Sequence, residues 1–203
     1  MRIFVFLVLA QASIFDADVF NNPEPWKELE SGPMKLETRP IKGSKCYEYR
    51  VTTEVALPAE RVCHAVFDFV TRQSNVKQVK VSKLLKDAGN ERVMYQQTDG
   101  SVVSPRDFAT TVIKRCAPKG TSYVRLKTTN DLAPPAPDNV VRMDSMWSSW
   151  TLEPMGDKTK VTVTLFSDPA GSVPTFIVHG PQRNAAKETV SDALAAALAA
   201  GSK

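Results

Sequence analysis

Apolar and polar residues alternate most clearly between Cys46 and Val55. The odd-numbered residues, from Tyr47 to Val55, point to one side, and the even-numbered residues, from Glu48 to Glu54, point to the other. A period of two residues is the spacing of a β-strand, whose successive side chains lie on opposite faces. The pattern predicts a strand with one half-buried face and one face in water.

The period changes in the stretch LPAERVCHAVFDFVTR, residues 57–72. Apolar residues recur there three or four positions apart, which is the spacing of one face of a helix. Pro58 suits the first helical position, because its missing N–H has no partner there. We therefore expect an amphipathic helix that packs on a sheet through Ala59, Val62, Cys63, Val66 and Val70.

A β-rich region follows this helix. Turn signals at Gly89, Gly120 and Gly156, and in the proline-rich run 133–139, divide it into short segments. Regular spacing of this kind predicts an antiparallel meander. The expected strands are Val81–Lys86, Arg92–Thr98, Phe108–Cys116, Ser122–Thr129, Val140–Leu152 and Lys160–Phe166.

Two further helices are predicted, a short one from Pro25 and a long one from about Pro174 to about Ala199. We expect Gly180-Pro181 to kink or restart the long helix, because proline removes a backbone donor. Val190, Leu194, Ala197 and Leu198 would form its later apolar face. Helices segregated from one large antiparallel sheet make an α+β fold.

The first residues, MRIFVFLVLAQAS, have the form of a secretory leader. Arg2 precedes a short apolar run, and Ala10-Gln11-Ala12 follows as a cleavage pattern. We predict a signal peptide over residues 1–12, a linker over 13–24 and one domain over 25–200. The protein would then be exported, to the periplasm in a bacterium or the secretory pathway in a eukaryote. A mispredicted start or a buried strand is the alternative, and it would leave the protein cytoplasmic.

Composition narrows the class of protein. The chain has 203 residues and 42% hydrophobic content, which suits one domain with a sizeable core. Its net charge of +4 is too small to predict nucleic-acid binding and is compatible with visits to an anionic membrane. Of the three cysteines, two could form one disulfide after export, but we favour three small buried side chains.

Catalytic and metal-binding motifs are not found in the sequence. It contains no G-x-S-x-G, P-loop, H-E-x-x-H or dinucleotide fingerprint. We expect His64 and His179 to be structural or on the surface, and Asp107 and Asp168 to form turns and salt bridges. We predict no catalytic residue, no metal and no cofactor.

Four segments together resemble the START domain, a lipid-transfer module of the helix-grip (Bet v 1-like) superfamily. They are NVKQVKVSKLL from Asn75, SPRDF from Ser104, SSWTLEP from Ser148 and DPAGSVPTFIV from Asp168. The resemblance implies a curved antiparallel sheet wrapped around the long C-terminal helix, with one lipid in an internal hydrophobic cavity. It also implies a loop at the cavity mouth, at residues 100–104, and a lid with hinge residues Gly171, Pro174, Gly180 and Pro181.

Residues with inward-facing positions on these elements are the candidate cavity lining. They are Met94, Phe108, Val112, Val124, Leu126, Met143, Met146, Trp147 and Val163, with Val173, Phe176 and Ile177 from the lid. A slip of one residue inverts the list for a whole strand. Some sterol-binding members carry an arginine at the position of Val112, so a specific expectation of cholesterol is weakened here. We expect Arg106 to be structural.

We predict a non-enzymatic, monomeric lipid carrier that contacts membranes transiently and does not bind nucleic acid. Lys77, Lys80, Lys83 and Lys86 would form a solvated face or, alternatively, an anionic-membrane contact. Two other functions stay open: a polyketide cyclase or aromatase using Tyr95, Gln97 or Asp144 in the same cavity, and a lipid sensor. A titratable pair inside the cavity would favour the enzyme.

Overall fold

One curved sheet and two helices make up the protein in the computed structural model, which describes residues 18–71, 79–99 and 104–201, without the side chains of residues 175–177. The helices are α1 (Ala59–Thr71) and α2 (Thr175–Gly201). The strands are β1 (Lys27–Glu30), β2 (Lys35–Pro40), β3 (Tyr47–Val55), β4 (Val79–Asp87), β5 (Glu91–Thr98), β6 (Arg106–Arg115), β7 (Ser122–Thr128), β8 (Val141–Arg142), β9 (Ser145–Met155) and β10 (Lys158–Asp168).

The strands form a sheet in the order β1-β2-β3-β10-β9-β7-β6-β5-β4. Every neighbouring pair in this order is antiparallel, and the short β8 pairs with β6 in parallel. The helix α1 packs on β6, β7, β9 and β10, while α2 packs on α1, β3 and β10. Both helices therefore lie on the concave face of the sheet, and the predicted α+β helix-grip architecture is confirmed.

The main core lies between the two helices and the centre of the sheet. Val62, Cys63 and Val66 of α1 are fully buried there, as the helical spacing predicted. Phe67, which was not among the predicted packing residues, is fully buried as well. The helix α2 contributes Val190 and Leu194 together with the small residues Ala186 and Ala193. Leu198, expected on the apolar face, is instead 46% exposed.

The N-terminal prediction of a helix from Pro25 is wrong. Residues 27–30 form the edge strand β1, because Leu29 packs on the main core while the backbone pairs with β2. Trp26, just before β1, makes cation–π contacts with Arg39 and Arg50, whose guanidinium carbons lie 4.0 and 4.3 Å from its ring centroid. Tertiary contacts have overridden the weak helical preference of this stretch.

Two of the three cysteines are paired, so the prediction of three independent buried thiols is also wrong. A disulfide joins Cys63 on α1 to Cys116, which follows β6, while Cys46 remains a buried thiol. Its place in the helical pattern points Cys63 into the core. Cys116 comes directly after the last residue of β6, close to Cys63. The bond ties α1 to the sheet next to the main core.

Candidate ligand cavity

A cavity of about 260 Å³ lies between the sheet and the two helices. Its lining comes from the C-terminal end of α1, from the middle of α2 and from six strands. The lining residues are Phe69, Val70, Val79, Gln96, Thr98, Phe108, Thr110, Leu126, Met146, Trp147, Ser148, Trp150, Val163, Leu165, Phe166, Ser167 and Thr189. The volume is close to the lower end of the range of roughly 300–1,000 Å³ typical of small-molecule pockets.

The lining is chemically uniform. Aliphatic and aromatic side chains dominate, and the polar members are neutral hydroxyls and one amide, that of Gln96. Among the described residues, none that lines the cavity has an ionisable side chain. Such a surface can hold an apolar ligand and offer it a few hydrogen bonds.

Strand alternation explains which side chains reach the cavity. Phe108 and Thr110 are two positions apart on β6, and Gln96 of β5 lies directly opposite Phe108. Farther along the sheet, Leu126, Ser148 and Leu165 form one cross-strand row on β7, β9 and β10. Side chains opposite one another in an antiparallel pair share a face, so these rows form the cavity floor.

Five of the predicted lining residues border the cavity: Phe108, Leu126, Met146, Trp147 and Val163. Trp147 also packs edge to face against Phe20, with ring centroids 5.4 Å apart, in a second cluster at the start of α2. Whether these five contact a ligand stays a prediction.

The other predicted lining residues lie elsewhere. Val112 and Val124 are buried in the main core, and Met94 and Met143 are buried outside the cavity lining. Val173 packs in the second cluster. The side chains of Phe176 and Ile177, the loop residues 100–103 and Lys77 lie outside the described residues.

Sequence reasoning missed several lining residues because it selected hydrophobic side chains. Gln96, Thr98 and Thr110 share strand faces with residues that were chosen, so a period of two from Met94 and Phe108 would have found them. Phe69 and Val70 come from the last turn of α1, where the helical pattern showed which face is apolar but not what it covers.

The turn before α2 holds two of the four predicted hinge residues, and the other two lie within the helix. Gly171 adopts a left-handed conformation with φ 69°, and Pro174 directly precedes the first residue of the helix. The helix continues through Gly180 and Pro181 without restarting. Movement at these positions stays a prediction.

Polar anchors hold α2 against the sheet. The Tyr49 hydroxyl donates to the carbonyl of His179 over 3.2 Å, and the Gln182 amide donates to the carbonyl of Ser167 over 2.6 Å. Near the middle of the helix, Glu30 of β1 accepts hydrogen bonds from Arg183 and Lys187. These hydrogen bonds lower the pKa of Glu30, and the bond from Lys187 has the largest effect.

A buried titratable cluster lies on the other face of β5 and β6. Asp107 is fully buried and accepts two bonds from Arg142, at 2.8 and 2.7 Å, and one from the Tyr95 hydroxyl, at 3.0 Å. Burial and the Asp107 carboxylate raise the pKa of Tyr95. Arg142 also bonds the carbonyl of Pro134, so the cluster fixes the proline-rich loop. Asp107 is thus a salt-bridge partner, as predicted.

Arg106 stands at the end of the cavity face of β6 and is 5% exposed. Its guanidinium donates to the carbonyls of Pro169 over 3.1 Å, Ala170 over 3.4 Å and Ser104. Burial lowers its pKa. The group therefore joins the start of β6 to the turn that leads into α2.

Metal ions and membrane spans have no evident place in the described ranges. No group of three His, Cys, Asp or Glu side chains there could hold a metal ion. Neither α1 nor α2 combines the length and apolar composition needed to cross a bilayer.

Comparison with known proteins agrees with this architecture. The family model of the START domain matches residues 12–197. The chain belongs to the START domain family. The match begins upstream of the boundary predicted at residue 25 and spans nearly the whole chain.

Solved structures similar to this START domain include a STAR-related lipid transfer protein from Xanthomonas axonopodis. It is 23% identical, with a TM-score of 0.72 over 85% of this chain and 98% of that one. Human STARD10 is 16% identical, with a TM-score of 0.69 over 85% and 73% of the two chains. Human StAR-related lipid transfer protein 5 is 17% identical, with a TM-score of 0.67 over 89% of each. Comparison with curated protein sequences finds no match.

Proposed function

We propose that this START domain is a non-enzymatic carrier that holds one hydrophobic lipid in its cavity and releases it at a membrane. The observation that carries the proposal is a cavity beneath both helices whose described lining has no ionisable side chain. Two of the similar structures are described as lipid transfer proteins, which is the same class of function.

Binding would be driven by burial of the lipid's hydrocarbon. Each CH₂ group moved out of water contributes about 0.8 kcal/mol. The neutral polar groups of Gln96, Thr110 and Ser148 would orient the bound molecule through hydrogen bonds. No covalent step is required, because the cavity only replaces the water around the hydrocarbon chain of the lipid.

The cyclase or aromatase alternative receives less support. Such chemistry needs a proton donor or acceptor within reach of the substrate. Tyr95 is engaged with Asp107 on the opposite face of the sheet, and Asp144 is exposed. The neutral Gln96, rather than Gln97, lines the cavity.

Native mass spectrometry of the protein purified from its source, with solvent extraction, tests the carrier proposal. A stoichiometric lipid is expected. Ser148→Phe should fill the cavity and lower lipid uptake at least about tenfold, while the control Thr151→Phe, which faces a groove on the other side of the sheet, should retain it. Full uptake by Ser148→Phe, or an empty wild type that takes up no lipid from vesicles, would contradict the proposal.

Membrane contact is assigned to the β4 edge, which we define as Lys83, Leu84, Leu85 and Lys86. β4 is the last strand of the sheet, and Leu84 and Leu85 are 46% and 42% exposed. A bulge leaves Leu85 without a partner on β5. Exposed leucines beside lysines suit the surface of an anionic bilayer. Val79, at the start of the same strand, lines the cavity.

Export of the protein is the last part of the proposal. The leader pattern of residues 1–12 predicts it, and the Cys63–Cys116 disulfide supports it, because disulfides persist in oxidising compartments. N-terminal sequencing of the mature protein from its source should begin at Ser13. A mature protein that still begins at Met1 would contradict cleavage after residue 12.

A further inference from the structure

Arg106 is a buried cation that lacks a counter-charge among the described residues. No described carboxylate lies within 4.0 Å of its guanidinium. Arg39, the other arginine with similarly low exposure, is paired with Glu48 through two bonds of 2.5 and 3.0 Å. Buried charges in proteins are normally paired in this way, because removing a charge from water is costly.

The three carbonyls around Arg106 satisfy hydrogen bonds but do not neutralise its charge. A guanidinium has about five N–H donors, and the bonds to Ser104, Pro169 and Ala170 use three of them. The bond to Ala170 is long, at 3.4 Å, and is the easiest to exchange for a stronger acceptor. The group therefore retains both the charge and the donors that an anion would need.

The position of Arg106 connects it to the cavity. It lies two residues before Phe108 on the same face of β6, and its partner on β5 is Thr98. Phe108 and Thr98 both line the cavity. Its acceptors Pro169 and Ala170 follow directly after Ser167, which also lines the cavity. Arg106 is not itself a lining residue, but it adjoins the lining on β5, β6 and β10, and its guanidinium lies on the turn that follows Ser167.

We propose that Arg106 binds the anionic head group of the lipid, a carboxylate or a phosphate, while the lipid's hydrocarbon chain occupies the cavity. This inference rests on the proposed carrier function and narrows its ligand to amphiphiles with an acidic head group. Arg106 then has two tasks, since it also ties β6 to the turn before α2. Binding of an anion there would place the ligand's charge next to the predicted hinge.

A ligand series on the wild-type protein tests the head group without any mutation. Oleic acid, oleyl alcohol and oleoyl lysophosphatidic acid share one chain and differ in charge. Affinities can be followed by intrinsic fluorescence at pH 8, because Trp147 and Trp150 line the cavity. We expect an acidic ligand to bind at least about tenfold tighter than the alcohol, the scale of a hydrogen-bonded charge pair.

Substitutions of Arg106 then show whether this residue causes the preference for acidic ligands. Arg106→Gln should remove the preference for the acids, so that the ratio of acid affinity to alcohol affinity falls to about one whatever happens to the absolute affinities. Arg106→Lys should retain part of the preference, and the control Arg61→Gln, which removes an exposed positive charge on α1, should retain all of it. Circular dichroism identifies any variant that fails to fold, in which case the wild-type series decides.

The outcomes separate the two proposals. Equal affinity for acid and alcohol overturns the role of Arg106 and leaves the carrier intact. Failure of all three ligands contradicts the carrier itself. Tighter binding of oleic acid or of the lysophospholipid identifies carboxylate or phosphate as the preferred group. Inorganic phosphate should not displace oleic acid, and displacement by the free ion would overturn the assignment to a lipid head group.

Discussion

At the scale of single residues, the turn before α2 has an unusual backbone conformation. Ala170 and Gly171 are successive residues in the left-handed region, with φ of 56° and 69°. This region costs a residue with a Cβ atom roughly 1–2 kcal/mol, and glycine enters it freely. The carbonyls of Pro169 and Ala170 in this turn accept two of the three hydrogen bonds of Arg106, so the conformation of the turn and the position of the guanidinium depend on each other.

Gly171→Ala should lower the free energy of unfolding by about 1 kcal/mol, because the new Cβ must adopt a positive φ. A Cβ there would lie 3.9 Å from both Arg106 Nη2 and Val141 Cγ1, so strain rather than a clash is the cause. Ala170→Gly is the matched control and should be neutral or slightly stabilising. Urea denaturation measures both. A Gly171→Ala protein as stable as the wild type would contradict the argument.

At the scale of elements, periodicity predicted α1, α2 and most strands, because each presents one face to the core. β2 was missed because its charges are buried. Glu37 and Arg39 are charged and would be expected in water, yet both are less than a tenth exposed. On the neighbouring strand β3, Arg50 pairs with Glu37 and Glu48 pairs with Arg39. Such pairs join distant stretches of sequence. The predicted strand Val140–Leu152 divides into β8 and β9, because residues 141–142 pair with β6 instead.

The cavity was less predictable than the fold. The sequence indicates which residues share a strand face, but the prediction selected hydrophobic residues, and five of these border the cavity. It does not show where α1 and α2 stop covering the sheet. Val112 and Val124 are therefore core residues, while Thr110 and Leu126, two positions away, line the cavity. Helix placement depends on packing across the whole domain, which local patterns do not specify.

The disulfide between α1 and the sheet should stabilise the domain substantially. The cysteines are 53 residues apart, and the chain-entropy description gives about 4 kcal/mol for a loop of that length, with about 2–4 kcal/mol typical. The double variant Cys63→Ala/Cys116→Ala should have a free energy of unfolding that is lower by an amount in this range.

Thiol titration of the unfolded protein provides the check. One thiol is expected without reductant and three with it, since the chain has three cysteines. The native protein should react slowly, because burial raises the pKa of the Cys46 thiol. Three thiols without reductant would show that the bond does not form, and Cys46→Ala serves as the control for loss of a buried cysteine.

The contact between β1 and α2 should depend on pH. Glu30 bonds Lys187 and Arg183, and its pKa in the folded protein is lowered. The ionised Glu30 therefore contributes its full stabilisation of the folded protein above the ordinary glutamate pKa of about 4.3. This stabilisation is lost as the pH falls through the lowered pKa of Glu30 in the folded protein. Glu30→Gln should be less stable than the wild type at pH 7, and the difference should shrink toward pH 3.

Thermal denaturation across this pH range, with Glu188→Gln on the exposed side of α2 as the control, measures the effect. A difference between wild type and Glu30→Gln that stays constant with pH would show that the carboxylate charge does not hold the helix.

At the scale of the whole molecule, the sheet separates two chemical environments. Its concave face holds the core and a cavity lined by uncharged groups, and its convex face carries paired charges such as Arg50–Glu37 and Lys160–Glu153. The Asp107 cluster also lies away from the cavity. Within the part of the chain that the structure describes, Arg106 is the exception, as a buried cation on the cavity side of β6. In the proposed carrier, Arg106 would select the ligand by its head group and the β4 edge would contact the membrane, so recognition and delivery would use different surfaces.

Delivery should depend on the β4 edge and not on affinity for the lipid. Lys80 and Lys86 are paired with Asp99 and Glu91, whereas Lys83 has no ion pair among the described residues. A lysine near an anionic membrane contributes about 1 kcal/mol, and a buried leucine contributes more. Leu84→Ser/Leu85→Ser and Lys83→Glu should each slow transfer to anionic vesicles at least about threefold.

Lipid affinity in solution should stay unchanged in both variants, because none of the three substituted residues lines the cavity. Leu132→Ser is the matched control, since Leu132 is a leucine of similar exposure, 50%, outside this edge. Transfer to neutral vesicles separates the electrostatic contribution of Lys83 from the apolar contribution of the two leucines. Lys83→Glu should deliver lipid to neutral vesicles at the wild-type rate, and the double leucine variant should remain slow. Unchanged transfer to anionic vesicles by both variants would exclude the β4 edge, and delivery would then depend on another surface.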